Sequence, residues 1–80
     1  MYKILMIEDD EIIVQIVKRH LESWGYEVFQ VEDFTHVIQE FVQKDPQLVL
    51  LDLKLPFFNG FHWCEEIRKI SQIPVMFLSS

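Results

Sequence analysis

Apolar residues gather in four short runs, at residues 4–7, 26–31, 48–51 and 75–78. The first, third and fourth are continuous rather than alternating. That is how strands buried on both faces of a parallel sheet read. The second is interrupted by Glu27 and Gln30, as an edge strand would be. Between the runs the spacing turns helical. Ile13, Ile16, Val17, His20, Leu21 and Trp24 follow the i, i+3, i+4, i+7 pattern, and Gly25 follows as a C-cap. Phe34, Val37, Ile38, Phe41 and Val42 form a second stripe, closed by Pro46. Phe61, Cys64, Ile67 and Ile70 form a third. The order β-α-β-α-β-α-β predicts three right-handed crossovers and an α/β, doubly wound parallel sheet. On these stripes His20 is expected to pack inward and Cys64 to act as a small buried hydrophobe. Trp63 falls off the stripe, at a shielded rim position.

Composition narrows the class. The chain has 80 residues, half of them hydrophobic, with seven Phe and two Gly. That predicts one packed domain rather than disorder. No apolar run approaches the ~20 residues of a membrane span, and the start of the chain carries no cleavable signal pattern. The lone Cys64 excludes an internal disulfide framework and fits a reducing cytoplasm. A net charge of -6 argues against DNA contact by this segment, because phosphate contacts need Lys and Arg. His20, His36 and His62 fall on three different helices and share no face, so a histidine metal site is not expected.

The chemistry lies at the strand ends. The first run closes on Glu8-Asp9-Asp10 and the third on Asp52. In an open α/β sheet ligands sit beyond the carboxyl ends of the strands, where strand order reverses. With order 2-1-3-4, that point lies between strands one and three, so these acids become neighbours. Two carboxylates about 4 Å apart cost roughly 1 kcal/mol in water and roughly 4 kcal/mol at a protein surface. Such a cluster is kept where a cation or a reaction needs it. Its oxygen ligands suit Mg²⁺ or Mn²⁺. Ser79, at the end of strand four, would bring a hydroxyl to the same rim. Glu8 and Asp9 could instead cap the first helix, and Asp10 and Glu11 read as solvated acids at its start.

The acidic pair Glu8-Asp9, the turn from Asp52 through Leu53-Lys54-Leu55 to Pro56, Asn59-Gly60 and Ser79 together resemble the receiver domain of bacterial two-component response regulators. The resemblance covers the whole chain. The run from Asn59 to Cys64 and the ending Phe77-Leu78-Ser79-Ser80 are similar to winged-helix regulators of the OmpR/PhoB class in Gram-positive peptide-antibiotic responses. The resemblance implies a CheY-like, flavodoxin-like fold. It implies that Asp52 is the phospho-acceptor of a sensor histidine kinase. It also implies Mg²⁺ bound by Asp9, Asp52 and the Lys54 backbone carbonyl, with Glu8 acting through a water. Ser79 would contact the phosphoryl group, and Pro56 and Gly60 would set the loop geometry. Such receivers normally carry Thr where Ser79 stands. They continue into a fourth helix and a fifth strand that bears a lysine. Residues 1–80 are therefore expected to be the N-terminal two-thirds of a receiver, with a C-terminal output domain, and DNA bound through it, outside this chain. If the chain ended at Ser80, residues 75–78 would form an open apolar edge and favour a homodimer or aggregation.

Three other functions share parts of the pattern. A phosphatase of the haloacid dehalogenase type places a second carboxylate two residues after its nucleophile, where this chain has Lys54. A flavodoxin-like FMN site needs a first loop that welcomes phosphate, and Glu8-Asp9-Asp10-Glu11 would repel it. A pseudo-receiver, acting by contact without phosphorylation, is disfavoured because the acids and the hydroxyl are all present.

Overall fold

The computed structural model describes residues 1–78. Strands β1 (Lys3–Ile7), β2 (Glu27–Gln30), β3 (Leu48–Asp52) and β4 (Val75–Leu78) alternate with helices α1 (Glu11–Ser23), α2 (Val37–Lys44) and α3 (Gly60–Arg68). All strand pairs are parallel, in the order β2-β1-β3-β4. The expected order 2-1-3-4 is the one observed.

The two sheet faces bury different halves of each strand. Leu5 and Ile7 of β1 join Val49 and Leu51 of β3 beneath Val37, Phe41, Trp63 and Ile67 of α2 and α3. Ile4 and Met6 join Val28 and Leu50 beneath Val14 of α1, with Val17 and Leu21 packed alongside. Helix α1 thus covers one face, and α2 and α3 the other. Strand β2 is added on one side of β1 and β3 on the other, so the order of addition reverses between them and the helices change face, as crossovers of one hand require. Complete burial of an aliphatic side chain contributes about 1.5–3 kcal/mol. Both central strands are filled with such side chains up to their last apolar residues. Sliding β1 by one residue would draw Glu8 into the sheet interior, where an unpaired charge is costly. Hydrophobic burial therefore fixes where the acids emerge.

Side-chain burial departs from the expected stripes at several positions. On α1, Val14 is the buried residue, whereas Ile16, His20 and Trp24 are exposed. The helix meets the sheet along Val14, Val17 and Leu21, a face rotated from the one assigned. His20 turns back along its own helix, its Nδ1 lying 3.1 Å from the Ile16 carbonyl oxygen. Val42 of α2 is exposed. On α3, Trp63 is a core residue at 6% exposure, while Phe61 is exposed and Cys64 half-buried; Ile70, also exposed, falls beyond the helix end. Trp63 and Ile67, four residues apart, face the sheet together.

Strand β4 also differs from its expectation. Met76 and Phe77 are exposed, although the run is continuous. Among the described residues β4 pairs only with β3, and its Val75 and Leu78 pack against the two core clusters.

Candidate metal and phosphoryl site

Ile7 is paired with Leu51, so Glu8, just past β1, and Asp52, the last residue of β3, stand side by side at the rim of the sheet. Glu8 is 3% exposed and Asp52 8% exposed, whereas Asp9 faces solvent. Glu8, Asp9 and Asp52 each offer a carboxylate oxygen, and these oxygens lie within 4.8 Å of one another. Among the described residues this is the one such group of potential metal ligands.

Helix capping does not account for the acids. That role belongs to Asp10, whose Oδ1 accepts the amides of Ile12 at 3.0 Å and Ile13 at 3.4 Å. Glu8 accepts the Asp10 amide at 3.1 Å. Asp52 accepts the Lys54 amide at 3.3 Å. Neither bond removes the excess negative charge.

The Glu8 carboxyl is pushed up from 4.5 to about 7. Burial is the main cause. The neighbouring Asp52 carboxylate and the charge of Asp9 push in the same direction, against the Asp10 amide. A divalent cation would reverse this electrostatic balance, and an all-oxygen set of this kind suits Mg²⁺. The donor set therefore fits the ion.

The loop after Asp52 is fitted closely to β3. Gly60 donates its amide to the Leu53 carbonyl at 3.0 Å. A Cβ on Gly60 would collide with the Asp52 carbonyl oxygen. Asn59 caps α3 by accepting the His62 amide at 3.0 Å. Pro56 is half-buried and the Lys54 residue is exposed. Ser79 lies outside the described residues. Sequence reasoning missed the aromatic packing around this loop, which joins Phe58, His62 and Trp63. The available signal was aromatic spacing across Asn59-Gly60, with Phe58 four residues before His62 and five before Trp63.

The response regulator receiver domain family matches residues 4–80. The chain belongs to this family. The receiver is 48% identical over 80 residues to the sensory transduction protein BceR of Bacillus subtilis, covering 100% of this chain and 35% of BceR. The N-terminal domain of the nisin resistance regulator NsrR, a lantibiotic response regulator, superposes with a TM-score of 0.92 at 46% identity. That match covers 100% of this chain and 68% of the NsrR domain chain. The response regulator TrrA, solved in complex with the histidine kinase ThkA, gives a TM-score of 0.89 at 28% identity, covering 100% of this chain and 70% of that one. TrrA from Thermotoga maritima has also been solved with Mg²⁺-BeF, at a TM-score of 0.85 and 29% identity, covering 100% of this chain and 72% of that one. The receiver spans about a third of the length of the curated relatives it matches. No helix among the described residues is long and apolar enough to cross a membrane.

Proposed function

We propose that this receiver is the phospho-acceptor switch of a two-component system, and that Asp52 takes the phosphoryl group from a sensor histidine kinase. The observation that carries the reading is the cluster of Glu8, Asp9 and Asp52 at the reversal of strand order. TrrA, a structural relative, is known in complex with a kinase and with Mg²⁺-BeF.

In this reading Asp9, Asp52 and the Lys54 carbonyl would hold Mg²⁺ or Mn²⁺, and Glu8 would assist through a water. A divalent cation bound there supplies charge neutralisation for the incoming phosphoryl oxygens. The chain's own residues do the rest. A carboxylate oxygen of Asp52 attacks the phosphorus of the kinase phosphohistidine. The P–N bond breaks, its electron pair stays with the imidazole nitrogen, and an acyl phosphate forms on Asp52. The Lys54 amide, donating to Asp52 Oδ1 at 3.3 Å, helps fix the orientation of that carboxylate. Ser79 would bond a phosphoryl oxygen and carry the change into the segment after β4. The output is a C-terminal DNA-binding domain of the parent protein, reached in the cytoplasm.

Incubation with acetyl phosphate and Mg²⁺, followed by mass spectrometry, tests the proposal. A gain of one phosphoryl group on Asp52, absent in Asp52→Ala, is expected. Label retained in Asp52→Ala overturns the acceptor assignment. No label in the wild-type full-length protein favours a pseudo-receiver.

A further inference from the structure

The turn that leads away from Asp52 is strained. Phe57 has a φ of 70°, where non-glycine residues are uncommon. The Phe58 amide donates across it to the Pro56 carbonyl at 2.9 Å. Together these make a γ-turn centred on Phe57, of the rare positive-φ form. The Phe57 ring is 75% exposed, so its own packing does little to offset the strain.

The next residue, Phe58, is 49% exposed, yet its ring is held by its neighbours. Phe58 stacks on His62 with ring centroids 4.3 Å apart and planes 21° apart. It meets Trp63 edge-on at 5.6 Å, and His62 meets Trp63 at 4.7 Å. Trp63 is buried in the core between α3 and the sheet, and the His62 amide is tied to Asn59. On the other side of the turn, the Gly60 amide is bonded to Leu53, the residue after Asp52. Strained conformations persist where the surroundings over-determine them. Here three mutually contacting rings do so.

We infer that Phe58, through His62 and Trp63, is a positioning residue for the Asp52–Lys54 segment. It prevents the Phe57 turn from relaxing, and so fixes where the Asp52 carboxylate and the Lys54 backbone stand relative to Glu8 and Asp9. This role rests on the metal and phosphoryl site proposed above. Phe58 itself touches neither ion nor phosphoryl group.

Two readouts on the full-length protein test the clamp. Calorimetry gives the Mg²⁺ affinity of wild type, Phe58→Ala and the double variant Phe57→Gly/Phe58→Ala. Phe58→Ala should bind Mg²⁺ about fivefold or more weakly. The double variant should recover to within about twofold, because glycine adopts positive φ without steric penalty. Metal-free amide hydrogen exchange should show the residue-58 and Gly60 amides losing about tenfold or more of their protection in Phe58→Ala. The double variant should regain it. Unchanged Mg²⁺ affinity in Phe58→Ala, or no rescue in the double variant, overturns the inference. If wild type binds no Mg²⁺, the proposed function fails, and hydrogen exchange alone then judges the clamp. Unaltered protection in Phe58→Ala overturns it, and loss with rescue upholds it.

Discussion

Gly60 stands against the backbone of Asp52 so closely that its amide reaches the Leu53 carbonyl at 3.0 Å and no Cβ fits between them. The start of α3 is thereby seated on the end of β3, next to the candidate phospho-acceptor. Glycine is required here by close approach, since its φ is not among the positive ones.

Replacing Gly60 with Ala should therefore cost stability out of proportion to one methyl group. The obstruction is backbone, which cannot rotate aside as a flexible side chain can. Overpacking of this kind costs about 1–3 kcal/mol. Urea unfolding of Gly60→Ala should show a lower midpoint with an unchanged slope. Equal midpoints would mean that the α3 start adjusts freely.

The raised Glu8 carboxyl makes stability depend on pH. In the unfolded chain Glu8 titrates near 4.5, and in the fold near 7. The fold therefore favours the protonated form. Its contribution is fully present below about 4.5 and is lost as pH rises through about 7. Without divalent cations, the part of the stability curve due to Glu8 should fall between those values. Glu8→Gln should flatten that fall and raise the melting temperature at pH 8. A steeper fall in Glu8→Gln would contradict the assignment.

Divalent cation should reverse this penalty. A ligand that binds the native state alone stabilises it by RT ln(1+[L]/Kd), about 2.7 kcal/mol at a hundredfold excess over Kd. Millimolar Mg²⁺ should raise the melting temperature of wild type and act much less on Asp52→Asn, which has lost one of the three clustered carboxylates. Because protons and cation compete for Glu8, Mg²⁺ affinity should rise from pH 6 to pH 8. An equal thermal response in wild type and Asp52→Asn would argue against binding at this cluster.

The two tryptophans should report opposite environments. Trp24 is 71% exposed and Trp63 is 6% exposed. Acrylamide should quench Trp24 strongly and Trp63 weakly, and Trp63→Phe should remove the blue-shifted emission. Trp63→Ala should cost about 3–5 kcal/mol through the cavity it leaves. Trp63→Phe should cost less, partly because among the described residues the buried Trp63 Nε1 has no hydrogen-bond partner and the variant removes it.

The alternation of helices and strands was legible in the chain from short-range pattern, and the strand order 2-1-3-4 came with the doubly wound fold that the chain resembles; together they brought Glu8, Asp9 and Asp52 to one rim. Continuous apolar runs mark strands, helical spacing marks crossovers, and the reversal of strand order places the carboxyl ends of β1 and β3 together whatever the details of packing. The face of α2 was legible, since Val37 and Phe41 are buried with Ile38 packed beside them, but which side of α1 and α3 faces the sheet was not. Apolar residues on α1 and α3 outnumber the positions the sheet can cover, so periodicity alone admits several rotations of each helix. Tertiary packing chose Val14 over Ile16 on α1, and Trp63 over Phe61 on α3. The positive φ of Phe57 and the contact of Gly60 with Asp52 were likewise decided by the approach of α3 to β3. The elevated Glu8 carboxyl followed from that same geometry, because burial and the distance between charges exist only once the strands are side by side.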